Sequence, residues 1–402
     1  MRKLIITAPA GVALVLVLLL GTRAAAADGN TTATGVSRQF NPAISVNTLL
    51  LGRAADQVTD AAYNGVDLQE AEVQLTSIVD PYWKANLVFA VHPERGHGHA
   101  EEDAEADAHA HGGYTGHVEV AYIDGTSLPH GFALRLGKDY LPFGKHVPLH
   151  THQFPFVDAP VAVRTFLGDH SLTEVGARLA HAVPAPWYSD LTVYAVDGKA
   201  EIFAGGSRDL AYGARWTNLF DLSMESTLEI GGSWLHGPLG PGYLLTEEHA
   251  GDVLMGDLDV WGADVTFKWV SAGASRGPAL TVTGEVILPR PDQGAQDPLG
   301  WYAHAQYRFA RNWWLGLGAG AMDRDLPAHD HGEEEEEHHE HLALWTWEEV
   351  REYKANLTWT PSEFSAVRLE AARYDDQVGD LDEWLFSLQV NFTIGSHPAH
   401  LY

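Results

Sequence analysis

About sixteen segments of roughly ten residues alternate apolar and polar positions, and the connectors between them run short, long, short, long. The segment Trp384 to Ile394 is the clearest. Trp384, Phe386, Leu388, Val390, Phe392 and Ile394 share one face, and Ser387, Gln389, Asn391 and Thr393 share the other. Trp83, Ala85, Leu87, Phe89 and Val91 oppose Lys84 and Asn86 in the same way, and Trp261, Ala263, Val265, Phe267 and Trp269 oppose Asp264, Thr266 and Lys268. A period of two makes a strand with one apolar and one polar face, and about ten residues span a bilayer as a tilted strand. The charges on the second face need water. A soluble sandwich would bury its apolar faces against each other. Here Trp83, Trp261, Trp269, Trp313, Trp314, Trp345, Trp347, Trp359 and Trp384 gather at segment ends, as aromatic girdles at a membrane interface do. The fold expected is all-β: a transmembrane antiparallel barrel of about sixteen strands over 43–402, with water inside.

The ends and connectors give a side. Met1-Arg2-Lys3, an apolar run from Leu4 to Leu20, and Ala24 to Ala27 read as a signal peptide over 1–26, cleaved near Ala26 or Ala27. Export to the outer membrane follows, with 27–42 as a periplasmic N-terminal segment. Short turns are expected near Asp80-Pro81, 127–130, 184–186, Phe220-Asp221, 273–277, Arg311 and Pro361-Ser362. Long outer connectors are expected near 53–65, 93–114, 141–172, 198–208, 237–256, 290–299, 324–345 and 376–383. The net charge of −29 disfavours nucleic acid as a partner, and zero Cys excludes disulfides and thiolate metal sites. Membrane lipid is the expected surrounding. Divalent cations or small solutes are the expected passengers, and a homo-oligomer is expected only by analogy with general porins.

Two outer connectors are rich in imidazole and carboxylate. One, 93–114, carries His97, His99, His109 and His111 among Glu101, Glu102, Asp103, Glu105 and Asp107. The other, 324–345, carries His329, His331, His338, His339 and His341 around Glu333 to Glu337. This donor set suits Zn²⁺ first, with Cu²⁺ and Ni²⁺ competing, and the flexible spacing points to weak, exchangeable binding. The same composition also suits a solvated acidic connector without a ligand. No cofactor is required. The connector 141–172 differs: Leu141-Pro142-Phe143-Gly144 and Phe154-Pro155-Phe156-Val157-Asp158-Ala159-Pro160 are too apolar for a free loop and too rich in Pro for a strand. It is expected to fold inward as the third outer loop and narrow the pore. His146, His150, His152, Asp158 and Arg164 then form the constriction, with the three His as a cation station helped by Asp158 and Asp169. Ordinary packing of these His side chains is the competing reading.

Val118-Glu119-Val120-Ala121-Tyr122, Arg135-Leu136-Gly137-Lys138, Leu141-Pro142-Phe143-Gly144, Phe156 to Pro160 and the closing Gly395 to His400 resemble a Gram-negative porin-like outer-membrane family. That family is often labelled zinc-regulated outer-membrane protein or TonB-dependent receptor, and the middle block is similar to phosphate-selective porins. The resemblance implies a barrel and a link to zinc. A first strand near Ala43 leaves no plug domain expected ahead of the barrel. With 25 Lys+Arg against 54 Asp+Glu, a basic, phosphate-selecting constriction is not expected either; an acidic mouth should favour cations. No enzyme is expected: Gly273-Ala274-Ser275-Arg276-Gly277 fits G-x-S-x-G but sits on a turn rather than between strand and helix.

Overall fold

In a computed structural model, residues 42–56, 64–93, 113–125, 127–168, 172–200, 202–203, 210–240, 256–272, 276–292, 296–325, 349–376 and 381–395 are described. They form sixteen antiparallel strands closed into one barrel, each paired with its sequence neighbours and the first with the last. The strands are β1 (Ala43–Ala55), β2 (Gly65–Ile78), β3 (Trp83–Pro93), β4 (Tyr114–Gly125), β5 (Phe132–Tyr140), β6 (Thr173–Ala182), β7 (Tyr188–Val196) and β8 (Ala211–Asp221). The ring continues through β9 (Ser226–Pro238), β10 (Asp257–Val270), β11 (Ala279–Pro291), β12 (Gln296–Ala310), β13 (Trp313–Asp325), β14 (Glu349–Ser362), β15 (Ser365–Asp376) and β16 (Leu381–Gly395). Closure leaves no unpaired sheet edge, as a lipid-embedded sheet requires, because hydrocarbon cannot satisfy a free N–H or C=O.

The seam shows how sequence alternation becomes a wall. β1 meets β16 in register from Ser45↔Gly395 to Ala55↔Leu385. On the inner face the Asn47 amide donates to Asn391 Oδ1 (3.0 Å) and Thr393 Oγ1 (2.8 Å). On the outer face Phe386 is 53% exposed, while inward Gln389 is 4% exposed. The barrel is thus apolar outside and polar inside along this strand, the reverse of a soluble protein and the arrangement lipid stabilises. Among the described residues, no helix is long and apolar enough to cross a membrane.

Two connector boundaries differ from the alternation-based reading. The connectors expected at 290–299 and 376–383 shrink to 292–295 and 377–380, because β11, β12, β15 and β16 keep pairing past the expected bilayer edge. Pro289 and Pro291 lie in β11 opposite Val260 and Leu258. The turn expected at Phe220-Asp221 falls instead at 222–225, where Leu222 and Ser223 N–H donate back to Ser226 O.

Candidate functional site: a segment knitted across the lumen

Residues 141–168 leave β5 and cross the inside of the barrel. Their backbone is bonded by inward side chains from strands all round the ring. Gly144 N–H donates to Ser233 Oγ on β9 (3.0 Å), and Lys145 N–H to Glu285 Oε2 on β11 (2.8 Å). Val161 N–H donates to Glu352 Oε1 on β14, and Val157 N–H to Glu370 Oε2 on β15 (both 3.0 Å). Pro155 O accepts from Gln306 on β12 and Asn356 on β14 (both 2.9 Å), and Phe154 O from Arg368 (2.9 Å). A segment that touches β1, β9, β12 and β15 of a closed ring can do so only from within. Each bond answers a buried peptide group that would otherwise cost free energy.

Two glycines make the approach feasible. Gly144 has φ +57, and a Cβ there would collide with the Glu285 carboxylate. Gly318 on β13 faces the Phe156 ring, and a Cβ would sit 2.9 Å from its tip.

The segment has two unlike anchors. The first is apolar. A single short helix, α1 (Val161–Leu167), starts after Pro160 and ends at Gly168, where φ is +97. Seven residues are too few to hold a helix alone, so packing must stabilise it. Six of the seven side chains are buried. They join Leu235, Leu258, Val260, Ile287, Met322 and Val350, which line the inner face of β9, β10, β11, β13 and β14 at the ends where the long connectors start. That part of the lumen is a packed apolar core rather than a water-filled space. The signal was present as consecutive apolar positions, Val286-Ile287-Leu288 and Trp234-Leu235, where alternation lapses.

The second anchor is polar and stands on β2 and β4. Thr151 Oγ1 donates to Glu70 Oε2 at 2.9 Å. His152 Nδ1 lies 3.1 Å from Glu72 Oε2; His150 Nδ1 lies 3.2 Å from Glu119 Oε2 and 3.4 Å from Glu72 Oε1. The Tyr140 hydroxyl also donates to Glu119. The two imidazole rings stack at 5.6 Å. Burial works against the charge on His150, but the Glu72 and Glu119 carboxylates outweigh it and hold its pKa well above the ordinary imidazole value.

The five constriction residues are therefore not one station. His150 and His152 come together with three carboxylates that were not expected. The signal for two of them was modest: Glu70 and Glu72 stand two apart, on one face of β2. His146 is separate, buried between Phe154 (ring centroids 4.3 Å apart) and Tyr302 (6.2 Å). Desolvation, then the neighbouring His304, Lys354 and Arg164, hold its pKa well below the ordinary value, so it packs as a neutral ring. Asp158 does not join the His residues; it pairs with Arg53 of β1. Arg164 lies on α1 with its guanidinium 5.5 Å over the Tyr374 ring. Asp169 lies outside the described residues, as do His97, His99, His109, His111, His329, His331, His338, His339, His341, the 1–26 leader and Gly273 to Ser275.

Beside the segment is a cavity of about 340 Å³. Thr266, Thr281, Thr283, Gln306, Thr358 and Asn391 give it a neutral polar wall, and Trp314, expected in a girdle, turns inward to line it. The charged groups at its surface, other than His, are Lys145, Arg215, Lys268 and Arg368 against Glu229. Asp264, which holds Arg215 at 2.7 Å, is fully buried behind it. The inner wall here is basic although the chain is strongly acidic. Net charge describes the whole chain and not this wall: the cavity takes four of its 25 Lys+Arg and one of its 54 Asp+Glu.

No family model matches the chain. A protein of Aquifex aeolicus (strain VF5), described as uncharacterized, is 25% identical over 363 residues, which is 84% of this chain and 70% of that protein. Among solved structures, the high-pH structure of Pseudomonas putida OprB is similar with a TM-score of 0.56 at 8% identity, covering 94% of this chain and 97% of that one. The outer membrane channel DcaP of Acinetobacter baumannii gives 0.51 at 13% identity over 91% and 99%. An anion-selective porin from Comamonas acidovorans gives 0.52 at 8% identity over 88% and 98%. At these identities the likeness is one of fold: the chain has the sixteen-strand barrel architecture of outer-membrane porins.

Proposed function

We propose that this protein lies in the outer membrane and works as a porin-like channel for small hydrophilic solutes, narrowed by residues 141–168. The observation that carries this reading is the polar cavity of about 340 Å³ inside a closed barrel with an apolar outer face. Its Thr, Gln and Asn side chains offer both donors and acceptors to a passing solute, and Trp314 offers a flat apolar face. Cation preference, expected from the net charge, draws no support from this wall. Lys145 and Arg215 are paired with Glu229 and Asp264, and the Lys268 and Arg368 charges favour solutes that carry some negative charge. Planar-bilayer recording with a salt gradient tests both parts: discrete steps and an anion-favouring reversal potential are expected. Steps with a cation-favouring potential would remove the charge assignment.

A second reading has its own observation, the apolar packing of α1 against Leu258, Val260, Ile287 and Met322. A barrel filled in this way could bind rather than conduct, and silent bilayers with folded protein would favour it. Zinc capture by His97, His99, His109, His111, His329, His331, His338, His339 and His341 remains a proposal from sequence. Equal Zn²⁺ binding by intact protein and by protein lacking both connectors would remove it.

A further inference from the structure

Glu70, Glu72, Glu119, His150 and His152 form a cluster that the channel reading does not use. Their donor atoms fall into two overlapping triads, Glu70–Glu72–His152 and Glu72–Glu119–His150. Within each triad the atoms lie within 4.8 Å of one another. Glu72 is common to both and reaches His150 with Oε1 and His152 with Oε2. The His–Glu separations of 3.1, 3.2 and 3.4 Å fall in the range that metal–ligand bonds of about 2.0–2.2 Å set between neighbouring donors, roughly 3–3.5 Å.

The cluster gathers buried acceptors that its own donors do not all match. Three carboxylates face two imidazoles in this cluster. Among the described residues, no Lys or Arg forms an ion pair with Glu70, Glu72 or Glu119. All three carboxylates are buried. Glu70 is only 7% exposed, and its Oε1 has no hydrogen-bond partner. Buried acceptors without donors are costly, and a cation accepts their lone pairs. The mixed nitrogen and oxygen set suits a first-row divalent metal better than Ca²⁺ or Mg²⁺, which take oxygen alone.

We propose that Glu72, with His152 and Glu70 on one side and His150 and Glu119 on the other, holds a divalent transition metal that staples the lumen-crossing segment to β2 and β4. The ligands come from the wall (Glu70, Glu72, Glu119) and from the segment (His150, His152), so the ion ties one to the other. It serves as a fixed structural part rather than as cargo. The site stands whether or not the lumen conducts.

The test uses the full-length barrel, folded in detergent, stripped with a chelator and titrated with Zn²⁺ at pH 7.5, with Ca²⁺ as the control ion. Binding by the acid- and His-rich connectors contributes in every variant, so the tightest class of sites is the readout. Glu72→Gln and the pair His150→Asn with His152→Asn should each weaken that class at least tenfold, while Ca²⁺ should not displace the metal. Unchanged tight binding in both would overturn the proposal, and so would the absence of a tight class in the parent protein. If the variants do not fold, X-ray absorption of the parent protein with one equivalent of Zn²⁺ decides. Two imidazole nitrogens among carboxylate oxygens support the site; three or more imidazoles place the ion in the connectors and overturn it. Bilayer conductance is read separately, so a silent barrel would defeat the channel and leave the metal result standing.

Discussion

The lumen-crossing segment is held at two places by different physics. At β11 to β14 the α1 helix is buried among aliphatic side chains. At β2 and β4, Thr151, His150 and His152 meet three carboxylates. Apolar burial is non-directional and does not depend on protonation or on a bound metal, each fully buried large side chain contributing about 1.5–3 kcal/mol. The polar anchor depends on protonation, geometry and counter-charge, and an incompletely satisfied buried network is costly. The difference teaches that one end of the segment is fixed by packing while the other responds to its chemical surroundings. Release, if it occurs, should start at β2 and β4.

The largest effect should come from the apolar side. Phe166→Ala removes a fully buried ring and should cost about 3–5 kcal/mol, read as a lower unfolding midpoint in detergent. A loss below 1 kcal/mol would mean that α1 is not the firm anchor. Lys354→Met comes next and breaks the comparison from within, because it puts an ionic contact to the test on the apolar side. Lys354 donates to Asp158 O and Ala159 O and pairs with Glu352 at 2.8 Å, both side chains almost fully buried. Leaving Glu352 uncompensated should cost about 3 kcal/mol. Bilayer recordings of this variant should also show larger or noisier steps than the parent if the segment loosens.

Thr151→Val should be milder. It removes one hydroxyl donor to Glu70, about 1 kcal/mol, and in urea unfolding it should shift the midpoint without changing the slope. The smallest expected effect is a pH dependence centred on His146. Its folded pKa lies well below the unfolded value near 6.5, so the folded state takes up its proton later than the unfolded state. The stability from the neutral ring is fully present above about pH 6.5 and is lost as pH falls toward the folded pKa. Comparing melting at pH 7.5 and 5.0, His146→Leu should lose less on acidification than the parent; an equal loss would assign the acid sensitivity elsewhere.

Much of the barrel was legible because a tilted strand has a period of two and each face has its own solvent. Trp384 to Ile394 needed no tertiary information to reveal both sides. Where alternation stopped carrying information, the reading lost accuracy. A connector was expected from 290 onward, yet pairing with β10 carried β11 on through Pro291. His150 and His152 were legible as polar residues of an inward segment, but their partners were not, because Glu119 comes 31 residues before His150 and the two meet only when the segment folds back from β5 over β4. Asp158 was nearer in sequence and yet belongs to Arg53, since the chain between them crosses the lumen.

The amino-acid sequence by itself determined the strand count and the apolar outer face, because local periodicity acts within a few residues. The tertiary structure alone decided which inward side chains meet, where the lumen is dry, and that a strongly acidic chain lines its cavity with Lys and Arg. Those properties depend on ring closure and on the crossing segment, which join residues hundreds of positions apart, such as Val157 and Glu370.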